Sequence, residues 1–235
     1  MNYHKTIPLS YCRLIHRGES MRVISSVGAK GGSGKSSVAL FLAWELAKDK
    51  KAKVAILDAD VQGTCVSAKA LNPALPFGVY AVANKTELWK KGKQLGQDGY
   101  DFLIIDGNPR SINEDPDLIR LIAELSDLNL IVSRPTPRDL KAQIKYVAMV
   151  NKVTKGKTFL LWNFFQKNAA AHKAGIPEGE KLLGLKSLDT RLSQRVAYQD
   201  IGFSECYIGD LGNRAATEEI KALGVEIRKE INGKK

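Results

Sequence analysis

Short apolar runs alternate along the chain with longer amphipathic stretches. The apolar runs have polar residues at both ends, a pattern typical of strands that are buried on both faces of a parallel sheet. They cover residues 22–27, 53–58, 101–106, 128–133 and 158–163. Helical patterns between them cover residues 35–49, 64–71, 115–125 and 138–151. This alternation predicts an α/β fold with a mostly parallel central sheet and helices on both faces.

Several stretches depart from this alternation. Residues 1–20 have no clear period, and we expect them to be an extension outside the core. A chain of 235 residues suffices for one large α/β domain, which we place at residues 21–235. Pro and Gly cluster at 72–78 and 175–184, which predicts loops there. From about residue 180 onwards the pattern predicts a mostly helical C-terminal part.

The composition narrows the class of protein. With 44% hydrophobic and 26% charged residues it is ordinary for a globular protein. The sequence has no apolar run of about eighteen residues and no secretory signal at its start, so we expect a cytoplasmic protein. Its cysteines, Cys12, Cys65 and Cys206, are scattered without a CxxC pair. This spacing fits reduced thiols better than a disulfide framework or a metal cluster.

The chain is strongly basic. Its net charge is +11, from 36 basic and 25 acidic residues. Such a surplus favours a polyanionic partner, either nucleic acid or an anionic membrane surface. The alternative is a solvated surface that is merely rich in lysine, and composition alone does not separate the two.

The most specific motif is the glycine-rich segment GAKGGSGKSS at residues 28–37. It follows a predicted strand and opens a predicted helix, which is the context that a phosphate-binding loop requires. Glycines let successive backbone N–H groups point at phosphate oxygens, and the helix adds the positive end of its dipole. Lys35 would reach the β- and γ-phosphates, and the Ser36 hydroxyl would bind Mg²⁺. The nucleotide-binding residues predicted here are Gly31, Gly32, Ser33, Gly34, Lys35, Ser36 and Ser37.

Three aspartates follow two of the predicted strands. Asp58 and Asp60 lie at the end of the run 53–58, and Asp106 closes the run 101–106. Ligands bind open α/β sheets at the carboxyl ends of the strands, and an apolar run that ends on aspartate is the Walker B pattern. Each aspartate alone fits a strand-end or helix-cap residue as well. Three of them in this order behind a phosphate-binding loop favour a nucleotide site.

The position of a second lysine suggests a family. Lys30 precedes Lys35 by five residues, and the resulting KGGSGKS resembles the deviant Walker A box of the ParA/MinD family of P-loop ATPases. The ordinary P-loop pattern has glycine where this chain has Ala29. The segment DADVQG at 58–63 is similar to the family's DxDPQ segment, with Val61 in place of proline. The resemblance covers roughly residues 21–231.

This resemblance implies an ATPase that uses ATP and Mg²⁺ and forms a homodimer when ATP is bound. Lys30 would cross the dimer interface to the partner's nucleotide, and Asp60 would orient or activate the attacking water. Asn163, at the end of the run 158–163, would meet the adenine base, although a turn residue fits this position equally well. The implied catalytic residues are Lys30, Lys35 and Asp60, and the implied metal ligands are Ser36, Asp58 and Asp106.

Relatives that move DNA cargo bind DNA nonspecifically through basic residues near the C-terminus. The corresponding cluster here is Lys181, Lys186, Arg191 and Arg195, for which a solvated surface is the alternative. The favoured function is an ATP-dependent switch, associated with the nucleoid, that partitions or positions plasmid or other DNA cargo. The resemblance implies weak basal hydrolysis that a ParB-like partner or cargo adaptor stimulates.

Three other functions within reach of the same fold remain open. A MinD-like, membrane-associated positioning ATPase needs large apolar residues in its last helix, and residues 227–235 contain no Phe, Trp or Leu, so membrane contact is not expected. A metal-cluster carrier of the same superfamily needs paired cysteines. A nucleotide-gated DNA-binding regulator with negligible turnover would not need Asp60. No helix–turn–helix or zinc-finger pattern predicts reading of DNA bases.

Overall fold

A central parallel sheet organises the chain. The computed structural model describes residues 21–108, 114–198 and 212–233, so the predicted extension at 1–20 lies outside the described residues. The strands are β1 (Arg22–Val27), β2 (Val54–Asp58), β3 (Gly78–Ala81), β4 (Phe102–Asp106), β5 (Leu128–Ser133) and β6 (Lys157–Trp162). They form one sheet in the order β3-β2-β4-β1-β5-β6, and every pairing is parallel. The predicted α/β fold with a parallel sheet is confirmed.

Seven α-helices connect and follow these strands within the described part of the chain. They are α1 (Lys35–Ala47), α2 (Thr64–Leu71), α3 (Lys85–Gln97), α4 (Pro116–Leu125), α5 (Pro137–Val153), α6 (Ala170–Leu183) and α7 (Arg214–Asn232). A short 3₁₀ turn covers Val196–Tyr198. Four of the helices, α1, α2, α4 and α5, were predicted from the sequence; β3, α3 and α6 were not.

The helices cover both faces of the sheet, as predicted. Along β2, Ala55 and Leu57 point into a core shared with α3, α4, α5 and α6, whereas Val54 and Ile56 point into a second core shared with α1, α2 and α7. All four side chains are buried. Because both faces of the strand are covered, its sequence is continuously apolar instead of alternating with polar residues.

The predicted loop at 175–184 is wrong, because α6 continues to Leu183. The glycines of this stretch allow close packing of a helix. A Cβ atom at Gly175 would lie 2.4 Å from the carbonyl oxygen of Pro135, and one at Gly179 would lie 2.6 Å from the Trp162 ring. Pro177 stands inside the helix, where it removes one backbone donor. Residues that usually interrupt a helix therefore serve here to bring α6 against the loop after β5 and against β6.

The prediction of a mostly helical chain from residue 180 is confirmed only for α7 and the end of α6. After α6 the chain is extended and forms bridges to the outer edge of the sheet at Leu160↔Ser187 and Phe165↔Ser193. Leu188 donates its N–H to the Leu160 carbonyl at 2.9 Å. This segment satisfies backbone groups of β6 that an uncovered edge strand would leave unpaired.

Glu219 of α7 holds this extended segment in place. Its carboxylate accepts hydrogen bonds from the Ser193 N–H at 3.0 Å, from Arg195 Nη2 at 2.6 Å and from the Tyr198 hydroxyl at 2.7 Å. We expect Glu219→Ala to lower the free energy of unfolding by about 2 kcal/mol, because hydrogen bonds to charged groups contribute roughly 1.5–3 kcal/mol. Urea denaturation measures the difference. Glu218→Ala removes an exposed neighbour and serves as control; equal effects of both substitutions would contradict the assignment.

Candidate nucleotide and metal site

The glycine-rich loop connects β1 to α1 at the centre of the carboxyl edge of the sheet. Gly32 and Gly34 have φ angles of +70° and +89°, in the left-handed region that favours glycine. A Cβ atom at Gly34 would also lie 2.1 Å from the Asn163 amide nitrogen. The loop conformation thus depends on glycine at the positions where the sequence has it.

Lys35 is almost fully buried at the first position of α1. Its ammonium group donates a hydrogen bond to the Lys30 carbonyl at 2.9 Å. Burial lowers the pKa of Lys35, and the carboxylates of Asp106 and Asp60 oppose this shift. An anionic ligand beside the ammonium would favour its charged form, because opposite charges at short range stabilise each other.

Asp58, at the end of β2, organises the following loop and lies beside Cys65 and Asp106, with ligand atoms of all three within 4.8 Å of one another. One carboxylate oxygen accepts hydrogen bonds from the Cys65 and Val66 N–H groups at 2.9 and 3.1 Å, which caps the start of α2. The other oxygen accepts from the Asp60 N–H at 3.2 Å. Burial raises the pKa of Asp58 although these backbone hydrogen bonds oppose the shift. Asp58 therefore satisfies two N–H groups in the first turn of α2, whose N-cap residue is Gly63, and its other oxygen holds the turn that carries Asp60.

Asp106, at the end of β4, is completely buried. Burial raises its pKa to about 7, and the Ser36 hydroxyl and the Lys35 ammonium act in the opposite direction. Oδ2 accepts from the Cys65 thiol at 3.5 Å, whereas Oδ1 has no hydrogen-bond partner within the described chain. A buried carboxylate oxygen without a partner, beside a hydroxyl and a second carboxylate, fits a hard cation with oxygen ligands such as Mg²⁺.

A cavity of about 430 Å³ brings together most of the predicted phosphate-binding residues and Asp60. Of the predicted metal ligands, Ser36 lines this cavity, whereas Asp58 and Asp106 are buried and are not part of its lining. Its lining consists of Gly31, Gly32, Gly34, Lys35, Ser36, Ser37, Asp60, Val61, Gln62, Thr64 and Asn108. Asp60 lies in the turn after β2, where its carboxylate accepts from the Gln62 N–H at 3.1 Å. The sequence analysis missed Asn108, which comes two residues after the predicted Walker B aspartate and so reaches the same edge of the sheet.

A smaller cavity of about 160 Å³ lies next to the first, and Ser37 lines both. Its other lining residues are Phe41, Asn163, Phe164, Ser193, Arg195 and Tyr198. The Asn163 side chain is tied to the protein backbone: its nitrogen donates to the Ser33 carbonyl at 2.8 Å and its oxygen accepts from the Phe164 N–H at 2.9 Å. Asn163 therefore connects the end of β6 to the glycine-rich loop as well as lining this cavity.

The second lysine of the loop has a partner in its own chain. Lys30 forms an ion pair of 2.9 Å with Asp139, a buried residue in the first turn of α5. Thr136 is the N-cap of α5, and its hydroxyl accepts from the Asp139 N–H at 3.3 Å. One turn later, the Gln143 side chain accepts from the Ala29 N–H at 2.9 Å. In the sequence, the spacing of Thr136 and Asp139 resembles a capping box, which indicates where the helix starts. It does not indicate that Asp139 pairs with Lys30.

The predicted DNA-binding residues do not share one element. Lys181 lies on α6, and the other three lie on the extended segment after it. Lys181, Lys186 and Arg191 are exposed. Arg195 is paired with Glu219 and lines the smaller cavity, so its charge is already engaged.

Residues 24–202 match the family described as the CobQ/CobB/MinD/ParA nucleotide binding domain. The chain belongs to this family. The resemblance predicted from the deviant Walker A box is confirmed, and solved members of the ParA/MinD type include ATPases. In the part of the chain that the structure describes, this ParA/MinD-type domain has no helix that is both long and apolar enough to cross a membrane.

Several solved structures of ParA/MinD type share the fold. A ParA family ATPase from Chlorobium tepidum TLS is 16% identical with a TM-score of 0.69, covering 87% of this chain and 98% of that one. MinD from Aquifex aeolicus is 16% identical with a TM-score of 0.73, covering 89% and 98%. A putative plasmid partition protein from Borrelia burgdorferi, bound to AMPPNP, is 20% identical with a TM-score of 0.66, covering 89% and 100%.

One curated relative also matches this ParA/MinD-type chain. It is the maintenance of carboxysome distribution protein A from Gloeobacter kilaueensis, 30% identical over 127 residues. The match covers 54% of this chain and 55% of the relative, so it spans about half the length of each.

Proposed function

We propose that this protein is an ATP-dependent switch that hydrolyses ATP slowly, dimerises when ATP is bound, and binds DNA without sequence preference to partition or position its cargo. The observation that carries this proposal is the cavity that combines Lys35, Ser36 and Asp60. The additional lysine of the loop, Lys30, supports the ATP-dependent dimer. The similarity to a plasmid partition protein and to a carboxysome distribution protein supports the cargo-positioning role.

The two neighbouring cavities divide the nucleotide between them. The larger one takes the phosphates, which receive hydrogen bonds from the loop and charge from Lys35. The smaller one takes the adenine, for which Phe41, Phe164 and Tyr198 offer apolar surface and Asn163 forms part of the wall. Ser37 lines both cavities, so one molecule of ATP can occupy them together.

Asp60 and the metal ligands complete the site. Ser36, Asp58 and Asp106 would hold Mg²⁺, which neutralises phosphate charge when bound. The Asp60 carboxylate orients the water that attacks the terminal phosphate, since it faces the same cavity as Lys35. The Asp60 N–H is held by the Asp58 carboxylate, and the Asp60 carboxylate is oriented by the Gln62 N–H.

Dimerisation depends on an exchange of partners by Lys30. In the single chain its ammonium is paired with Asp139 at 2.9 Å. To reach the nucleotide of a second subunit Lys30 must leave this carboxylate, and a negatively charged phosphate across the interface replaces it. ATP supplies more phosphate charge than ADP, so the exchange favours the dimer in the ATP state.

The experiment that tests the switch measures affinity for a random-sequence DNA duplex with ATP, with ADP and without nucleotide. We expect tight binding only with ATP, because the dimer doubles the basic surface that meets one duplex. The logarithm of affinity should fall with the logarithm of salt by roughly 0.9 for each phosphate contact. Equal affinity in all three states would contradict the switch. Binding of anionic vesicles in preference to DNA would favour a membrane-associated positioning ATPase.

A further inference from the structure

The exposed face of α5 carries a row of basic side chains. Arg138, Lys141, Lys145 and Lys152 are all exposed. At about 100° per residue, these four positions fall within an arc of roughly 60° on the helix. From the first to the last they extend over about 21 Å along the helix axis. We call these four residues the α5 basic row.

The acids on and beside α5 are largely engaged away from the α5 basic row. The acidic residue of α5, Asp139, is buried and faces Lys30 instead. Among the described residues, no carboxylate forms an ion pair with any member of the row. On the flanking helix α4, Asp117 is already bound by Lys85 and Arg120. On the other flank, α6, Glu180 accepts hydrogen bonds from Ser187 and Glu178 is exposed.

The uncharged residues on this side of the helix distinguish between kinds of polyanion. Ala142 and Ala148 are small, so a rigid ligand can approach the helix closely. Ile144, 43% exposed, and the partly buried Met149 are the large apolar residues of this side. Helices that lie on membranes need several large apolar side chains opposite their charges. Cations repeated along a straight row match the repeated phosphates of a nucleic-acid backbone better than a membrane surface.

We infer that the α5 basic row binds the phosphate backbone of duplex DNA and is the DNA contact that the nucleotide state controls. This inference rests on the proposed function and assigns its DNA contact to residues other than Lys181, Lys186 and Arg191. It accounts for a positive face that forms no ion pair within the described residues, on a helix that also holds the second lysine of the glycine-rich loop.

The inner side of α5 connects the row to the nucleotide site. Asp139 binds Lys30 at 2.9 Å and Gln143 accepts from the Ala29 N–H at 2.9 Å, so the first two turns of the helix hold two consecutive residues of the loop. When Lys30 turns to a second subunit, α5 loses one of these two contacts. The dimer then presents two basic rows in a fixed relation, and both can engage one duplex.

The test compares two charge reversals of equal size. The row variant combines Lys141→Glu, Lys145→Glu and Lys152→Glu. The control variant reverses three exposed lysines elsewhere, with Lys50→Glu, Lys51→Glu and Lys90→Glu. With ATP, we expect the first variant to bind a random-sequence 24-base-pair duplex at least about tenfold more weakly, with a salt slope flatter by roughly 0.9 for each lost contact. The control should stay within about threefold of wild type, and both should keep DNA-independent ATP hydrolysis.

Each other outcome overturns the inference. Equal losses in both variants would assign DNA binding to bulk charge. A loss confined to a Lys181→Glu, Lys186→Glu and Arg191→Glu variant would assign it to that surface. Retention of DNA binding by the row variant, together with loss of binding to phosphatidylglycerol vesicles or to polyglutamate, would assign the row to a membrane or an acidic protein. If wild type binds no DNA in any nucleotide state, the proposed function fails as well.

Two further measurements guard against trivial explanations of a loss. Circular dichroism melting should give the same transition for both triple variants, since every substituted lysine is exposed. The corresponding glutamine substitutions at 141, 145 and 152 remove the charge without adding acids, and we expect an intermediate loss of DNA affinity. Wild-type affinity in the glutamine variant would show that the glutamates act by repulsion alone, and would overturn a direct contact.

Discussion

Lys35→Ala is expected to weaken ATP binding by about 100-fold or more, since a charge-assisted hydrogen bond in a buried site contributes roughly 3 kcal/mol. Lys35 is the buried cation of the phosphate cavity, and burial already lowers the pKa of its ammonium. Burial disfavours the charged form of the Lys35 ammonium, and the phosphate oxygens of ATP would stabilise that form. Isothermal titration with ATP and Mg²⁺ measures the loss.

Folding should survive this substitution, which keeps the result interpretable. The lowered pKa of Lys35 means that the folded chain binds its proton less tightly than the unfolded chain does. The charged ammonium therefore opposes folding at neutral pH, and its removal relieves that cost. We expect an unchanged unfolding temperature within a few degrees. Lys50→Ala, at an exposed lysine, is the control for ATP affinity. Unchanged affinity in a folded Lys35→Ala protein would show that another group holds the phosphates.

The sequence predicted those elements whose evidence is local. A strand such as β4 is predictable from its short apolar run, because residues on both of its faces are buried. The glycine-rich loop is equally local, since its strand, glycines and helix are contiguous. By contrast, α3 has few apolar residues, and its buried positions, Leu88, Gly92 and Leu95, give a weak helical pattern. The glycines of α6 misled the prediction because their reason lies in Pro135 and Trp162, far away in the chain.

The parts of the site that escaped prediction are contacts between distant segments. The Ala29 N–H and the Gln143 side chain are separated by 114 positions, and Ser33 and Asn163 by 130. No pattern in either segment indicates its partner, since a buried glutamine and a solvated one look the same in a sequence. The aspartates were predictable for the opposite reason: parallel strands end at the same edge, so order along the chain already places them together.

Substitution of Asp60 is expected to have a large effect on ATP hydrolysis while ATP binding is retained. The Asp60 carboxylate lines the phosphate cavity and accepts a hydrogen bond from the Gln62 N–H at 3.1 Å. In Asp60→Asn the side-chain oxygen keeps this bond, so the turn retains its shape and only the charge is lost. Acid–base groups contribute roughly 10²–10⁴-fold to rate, so we expect partner-stimulated hydrolysis to fall by about 100-fold or more. ATP affinity should stay within about threefold of wild type.

Comparing Asp60→Asn with Asp60→Ala separates the charge from the turn. Both variants should accumulate the ATP-bound dimer, seen by size-exclusion chromatography with light scattering, and both should remain on DNA longer than wild type. Gln62→Ala leaves the Asp60 carboxylate and the backbone N–H of position 62 in place, so their hydrogen bond is kept. This variant should therefore retain most of the hydrolysis. Full stimulated activity in Asp60→Asn would exclude its carboxylate as the group that activates water. Because Asn108 lines the same cavity, Asn108→Ala would then be the variant that decides which side chain positions the attacking water.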